Sequence, residues 1–373
     1  MAESTRLVDL VQADIDAFLD DRAPLLSSIG PDLFPLIDFS RDLLRGGKRF
    51  RALFCYWGWQ SVSGHSTGFD QAQDGKERSD LAAVVKAASA LEIFHAAALV
   101  HDDIMDNSDM RRGMPAAHKR FESLHSDGGW NGSPRTFGQS AALLLGDLLL
   151  GWSDELFDSG LRALPDLAAR EAARLEFNRM RTEVTVGQYL DILEERSWRS
   201  YPEPELLGRA HRVIVYKSAK YSIEAPLAIG AALAGGSIAQ MSALREFGLP
   251  LGIAYQLRDD LLGVFGDPQT TGKPAGDDLR EGKRTVLIAL ARTNLAPNAT
   301  RLLDELLGDT DLSAQQVSML QASIRDCGAV EQVERIIDHN VRIAIEAIEN
   351  APVSAAAREQ LVQLAATVSK RSA

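Results

Sequence analysis

The chain has 373 residues, a length that one large domain can hold. Apolar residues make up 45% and charged ones 25%, the balance of a globular protein with a sizeable core, and a net charge of -12 argues against a general nucleic-acid surface. An anionic substrate must therefore be caught by local basic residues or by metal.

The N-terminus, MAESTRLVDLVQADID, has neither a basic leader region nor an apolar one, which predicts a cytoplasmic protein. No window shows the uninterrupted apolar length that a membrane span needs. Cys55 and Cys327 lie far apart and match no zinc or redox spacing, so they read as buried or inert thiols.

Gly46-Gly47-Lys48-Arg49-Phe50-Arg51 is the first chemically suggestive segment, either an exposed basic turn or an anion-binding loop. Residues 62–80 are rich in Gly, Ser and Asp and read as a surface insertion. The run 81–106 is dense in alanine and leucine and lacks Gly and Pro, which predicts a helix buried on most sides. It ends in His101-Asp102-Asp103-Ile104-Met105-Asp106, and Arg111-Arg112-Gly113 follows. Asp102 and Asp106 are i, i+4 neighbours, so one helix face presents both to a hard cation. A solvated helix end that also includes Asp103 and Asp109 is the bland alternative. The macrodipole disfavours acids at a helix C-terminus, however, so a positive partner is expected there.

Residues 124–136 read as a second surface loop. Further helical runs occupy 138–160, 167–195, 204–234, 241–266, 283–294, 313–325 and 330–350. They carry Gln188 and Asp191, the Tyr216-Lys217-Ser218-Ala219 segment, and Tyr255-Gln256-Leu257-Arg258-Asp259-Asp260-Leu261-Leu262-Gly263. The polar stretch 266–284 contains two Gly-Lys pairs, at Lys273 and Lys283, and reads as functional. No β-branched alternating run stands out. The pattern predicts an all-α protein of ten or more helices, one domain over 1–373 with insertions at about 62–80 and 124–136.

Together these segments resemble the trans-prenyl diphosphate synthases. HDDIMDNSDMRRGMPAAH is similar to their first aspartate-rich motif, DDxxD followed by RRGxPxxH. Gly46–Arg51 is similar to GGKxxR, Gly187–Asp191 to GQxxD, and Tyr255–Gly263 to FQxxDDxxD, all in family order. The resemblance implies a single helical bundle of the isoprenoid synthase type with a central cavity. It implies about three Mg²⁺ ions, held by Asp102, Asp106 and Asp259, with Asp191 as a further candidate ligand. Asp103, about 100° round the helix from Asp102, is expected to orient ligands from behind.

The resemblance also divides the substrates. Lys48, Arg51, His95 and Arg112 would bind isopentenyl diphosphate. Arg111, Lys217, Ser218, Gln256, Lys273, Lys283 and Gln188 would address the allylic diphosphate. Ser218 stands where the family has Thr, which keeps the hydroxyl. Gly263 stands where the third Asp belongs, and glycine has no side chain to ligate through; Asp267 is a weak substitute. The implied reaction is ionisation of the allylic substrate, attack by the isopentenyl double bond and loss of a proton. Residues 266–284 would close as a lid.

Product length should depend on what lies beneath Asp102. Ala97 and Ala98 leave no bulky floor there, and Phe94 is three positions earlier than Ala97, about 4.5 Å down the axis. These residues predict a twenty-carbon product, with fifteen or more than twenty carbons as alternatives. A homodimer is implied by the resemblance. A terpene cyclase or a non-catalytic synthase subunit on the same fold are the competing readings. A cyclase needs no GGKxxR pocket with Arg112, and a non-catalytic subunit tends to lose the first acidic motif, which is intact here.

Overall fold

The computed structural model describes residues 2–64, 75–267 and 276–369. The chain forms two compact units, each assembled from discontinuous segments. The first comprises Met1–Glu176, Pro226–Met241 and Val353–Ala357, and the second comprises Phe177–Ala225, Ser242–Pro352 and Arg358–Ala373.

In the first unit, α1 (Ala2–Ile29) buries Leu7, Val11, Ile15 and Leu19, one residue per turn on one stripe. After α2 (Phe34–Leu43) comes α3 (Phe50–Ser63), most of whose residues are buried. The long helix α4 (Gly75–Met105) packs against α6 (Pro134–Ala163). Ser153 donates to the Ala90 carbonyl at 2.7 Å across that contact, and a Cβ at Gly160 would stand 3.0 Å from the Ala83 carbonyl oxygen. Helix α5 (Ala117–Asp127) lies between α4 and α6 in sequence and packs on both.

Helix α7 (Leu167–Ser197) begins in the first unit and continues into the second. There follow α8 (Glu203–Val213), a π-helical segment Ile214–Glu224, α9 (Ala225–Leu233, of which Pro226 onward belongs to the first unit) and α10 (Ile238–Phe265). Then come α11 (Asp277–Glu281), α12 (Val286–Asn294), α13 (Pro297–Leu306), α14 (Ala314–Asp326), α15 (Ala329–Glu349) and α16 (Ala355–Ser369). The core of the second unit runs from Ile214 and Ala219 through Leu257, Leu261 and Leu287 to Leu320, Val333 and Ile337.

The all-α expectation holds, with one addition. Met110–Arg111 and Met114–Pro115 pair as a minimal antiparallel hairpin. Its two-residue turn, Arg112-Gly113, has φ of 52° and 76°, the left-handed pair that a type I′ turn requires.

Three readings are corrected. Val62–Ser63 and Gly75–Asp80 are helical, so the insertion expected at 62–80 is shorter; residues 65–74 lie outside the described residues. The loop expected at 124–136 shrinks to 128–133, because α5 runs to Asp127 and Pro134 starts α6 behind the Ser133 cap. By length and composition the segment Asp80–Met105 could cross a membrane, contrary to the expectation that no window could. The structure gives it another use: 78% of its most apolar window is buried within the protein, as in a core helix.

Cys55 is buried, which pushes its thiol pKa up, and Cys327 is partly exposed.

Candidate active site

The first unit gathers basic groups around the end of α4. Along its last turns the partly exposed residues include His95, Ala98, Leu99, Asp102 and Asp106, whereas Phe94, Ala97 and Asp103 are buried. Spacings of three and four put His95, Ala98, Asp102 and Asp106 on one stripe. The Asp106 amide donates to the Asp102 carbonyl at 2.8 Å, so the helical spacing carries past Met105 to Asp106. Asp103 is 1% exposed. It accepts from Arg111 Nε at 2.9 Å and also from Arg111 Nη2, while Arg111 Nη2 is 3.6 Å from Asp102. The buried acid thus holds the arginine, and the arginine reaches the exposed acid.

The hairpin turn separates the two arginines. Arg111 is tied back to Asp103, and Arg112 follows at the left-handed φ of the turn. The Arg112 guanidinium lies along Gly47, where a Cβ would stand 3.6 Å from Nη1. Arg49, with φ of 50°, precedes the first turn of α3 and is buried. It donates to Glu92 at 3.2 Å, to Gln12 at 2.6 Å and to the Leu44 carbonyl. Glu92 also accepts from the Ala52 amide at 3.2 Å, so it fixes the turn from which Arg51 projects. Lys48 is exposed at the tip of the same segment.

Four guanidinium groups act on one imidazole. Burial lowers the His95 pKa well below 6.5, and Arg51, Arg112, Arg111 and Arg49 push it down further. Burial also lowers the Arg112 pKa; Glu92 raises it, and Arg49, Arg111 and Arg51 lower it. Crowded like charges, of which Arg49 is paired with Glu92 and Arg111 with Asp103, form a place for a polyanion.

The second unit gathers acids. Gln188, Asp191 and Glu195 lie on one stripe of α7. Asp191 is 2.5 Å from Lys217 Nζ and 3.2 Å from Lys283 Nζ, and Lys283 is also 2.8 Å from Glu195. Lys217 and the buried Ser218 lie on the π-helical segment, which is held by close backbone approach on two sides. A Cβ at Gly187 would stand 2.6 Å from Lys217 Cα, and one at Gly252 would stand 2.7 Å from Ala219 Cα. On α10, Gln256 donates to Asp260 at 2.7 Å rather than addressing Asp259. Asp259 is partly exposed, Asp267 is exposed, and Lys273 lies outside the described residues.

Asp260 is 5% exposed, and its Oδ2 has no partner among the described residues. Burial raises its pKa well above 3.8; the Gln256 hydrogen bond lowers it, and Asp278, Asp259 and Asp191 raise it further. A buried, orphaned carboxylate oxygen among other carboxylates suits a divalent cation. The donor set therefore fits the hard, oxygen-seeking metal that the sequence implied.

The family model for polyprenyl synthetases matches residues 36–324. The chain belongs to that family. It is an enzyme of the trans-prenyltransferase class. A crystal structure of geranylgeranyl pyrophosphate synthase from Corynebacterium glutamicum, complexed with isoprenyl diphosphate and magnesium, is 37% identical, with a TM-score of 0.89, 98% of this chain covered and 99% of that one. The geranylfarnesyl diphosphate synthase of Aeropyrum pernix is 30% identical over 90% of this chain and 93% of its own. The short chain isoprenyl diphosphate synthase of Methanocaldococcus jannaschii is 30% identical over 65% of each chain.

Four residues of these arrangements escaped the sequence reading: Arg49, Glu92, Glu195 and Asp278. Glu92 had a signal, since the lone acid in the apolar stretch 81–101 demands a buried partner. Glu195 is one helical turn beyond Asp191, a spacing that could have found it. Nothing local distinguished Arg49 from its basic neighbours or Asp278 from Asp277.

Proposed function

We propose that the enzyme condenses isopentenyl diphosphate with an allylic diphosphate (dimethylallyl, geranyl or farnesyl) to give geranylgeranyl diphosphate and free diphosphate. The observation that carries this reading is the pairing, in one segment, of an acidic helix end with two arginines, one held by Asp103 and the other lying along Gly47. A single-substrate enzyme has no need of the second arginine.

Asp102 and Asp106 hold divalent metal at the allylic diphosphate, and Asp259 holds metal through the second acidic segment, about three Mg²⁺ ions in all, with Asp191 as a further ligand. Bound there, the metal supplies charge neutralisation for a departing diphosphate. Arg111 binds the allylic diphosphate while Asp103 fixes its fork. Lys217, Ser218, Gln188, Gln256, Lys283 and Lys273 complete that substrate's polar surroundings. Lys48, Arg51, His95 and Arg112 hold the isopentenyl diphosphate without metal, so this substrate keeps its diphosphate. His95 is neutral here and donates or accepts a hydrogen bond without adding charge. Fixing both substrates turns an encounter of two molecules into an oriented attack of the double bond on the allylic C1. The proton lost afterwards leaves with the diphosphate.

Residues 1–373 act as one catalytic domain, because the two compact units interleave along the chain instead of meeting at a single boundary. A homodimer working in the cytoplasm completes the reading; size exclusion with light scattering tests the first point and cell fractionation the second.

The decisive assay supplies farnesyl diphosphate, labelled isopentenyl diphosphate and Mg²⁺ and reads product length by chromatography. A labelled twenty-carbon diphosphate that disappears on chelation is expected. Label-free cyclic products, or no incorporation at any Mg²⁺ concentration, would sink the proposal.

A further inference from the structure

The second acidic segment ends in Gly263, so its last position offers no carboxylate of its own. The structure brings one to that place from elsewhere in the chain. The carboxyl group of Asp278, on α11, stands where a side chain on Gly263 would begin. Even the most distant of its three atoms, Oδ1, is only 2.6 Å from the position a Cβ would take. The space left by the missing side chain is the space this carboxylate occupies.

The turn bearing Asp278 is well fixed. Its backbone carbonyl accepts from the amides of Gly282 at 3.1 Å and Lys283 at 3.0 Å. One short turn thus aims Asp278 at Gly263 and Lys283 at Asp191 and Glu195.

A second observation points to a cation. Asp260 Oδ2 is sealed from solvent with no hydrogen-bond partner among the described residues, and Asp278, Asp259 and Asp191 are the charges that act on it. A buried carboxylate oxygen without a hydrogen-bond partner is costly until something positive reaches it.

We propose that Asp278 supplies the carboxylate that Gly263 lacks, completing with Asp259 and Asp260 the metal-holding set of the second acidic segment. The proposal rests on reading that segment as a metal site. Position 263 gave up its side chain, and α11 restores the charge.

The test titrates the full-length protein with Mn²⁺ in the presence of inorganic diphosphate and reads free Mn²⁺ by electron paramagnetic resonance. Asp278→Asn keeps the shape and loses the charge, and Asp278→Ala vacates the space. Each is expected to weaken Mn²⁺ binding about tenfold or more. Adding Gly263→Asp to Asp278→Ala should restore most of that affinity, a recovery that a merely structural role could not give. Asp259→Asn serves as the control for the underlying reading. Wild-type binding by both Asp278 variants, with Asp259→Asn weakened, would overturn the proposal and leave the metal site standing. Loss in Asp278→Ala without recovery in the double variant would overturn it as well. Wild-type binding by Asp259→Asn would bring down the metal reading and this proposal together.

Discussion

Arg49 and Glu92 form an ion pair at 3.2 Å with side chains only 4% and 6% exposed, and that pair ties the Gly46–Arg51 segment to α4. Removing either partner leaves a buried charge uncompensated. Glu92→Gln or Arg49→Met should therefore each cost about 3 kcal/mol or more. The double variant Arg49→Met/Glu92→Gln should cost less than the sum of the two single changes, since no charge is stranded. Denaturant melts of all three, with the Michaelis constant for isopentenyl diphosphate, check this. Single variants within about 0.5 kcal/mol of wild type would show that the pair holds nothing together.

The basic pocket makes a prediction about pH. In the unfolded chain the His95 imidazole takes a proton near pH 6.5, whereas in the folded protein burial and four neighbouring arginines keep it neutral well below that. Below pH 6.5 the unfolded state therefore binds one more proton at this residue, and stability falls by up to about 1.4 kcal/mol per pH unit. The contribution is fully retained above pH 6.5 and lost as pH drops through it. His95→Gln should flatten the slope of stability against pH by up to one proton below pH 6.5. An unchanged slope would mean that the imidazole is protonated in the folded state.

Asp103 is expected to act through Arg111. It is 1% exposed, and its Oδ1 accepts twice from that guanidinium. Asp103→Asn should lower kcat/KM by about tenfold to a hundredfold, and raising Mg²⁺ should not recover it. Asp102→Asn removes a metal ligand, so higher Mg²⁺ should recover part of its loss. Equal recovery in both variants would erase the distinction between the two acids.

The legible part of this protein was whatever is written in neighbouring residues. Ser313 and Gln316 form a capping box at the start of α14, where the helical run was expected to begin at 313. The runs at 167–195 and 330–350 come within two residues of α7 and α15, because apolar periodicity is a local property. Helix α1 was missed although Leu7, Val11, Ile15 and Leu19 keep strict four-residue spacing; the polar residues between them hid the stripe. The hairpin at Arg111 is too short to show alternation and is betrayed only by Arg112-Gly113. Asp102, Asp106 and Arg111 were readable because they are close in sequence. The support of Arg49 by Glu92, and the approach of Asp278 to Gly263, join distant segments through packing, which no local pattern encodes.

Chain length offers a test that the helix geometry sharpens. Ala98 shares the partly exposed stripe with Asp102, one turn below it, whereas Ala97 is fully buried and Phe94 is 4% exposed. A large side chain can block the path beneath Asp102 from position 98 but not from position 97, which faces the core. Ala98→Phe should therefore shorten the product to fifteen carbons with little loss of stability. Ala97→Phe should overpack the core, at about 1–3 kcal/mol, and leave the product unchanged. Phe94→Ala opens space one turn below Ala98 and should lengthen the product beyond twenty carbons, at about 3–5 kcal/mol in stability. Chromatography of the products with thermal melts of the same three proteins separates these effects. Shortening by Ala97→Phe without shortening by Ala98→Phe would place the floor on the opposite face of α4, and Phe94 would revert to ordinary core packing.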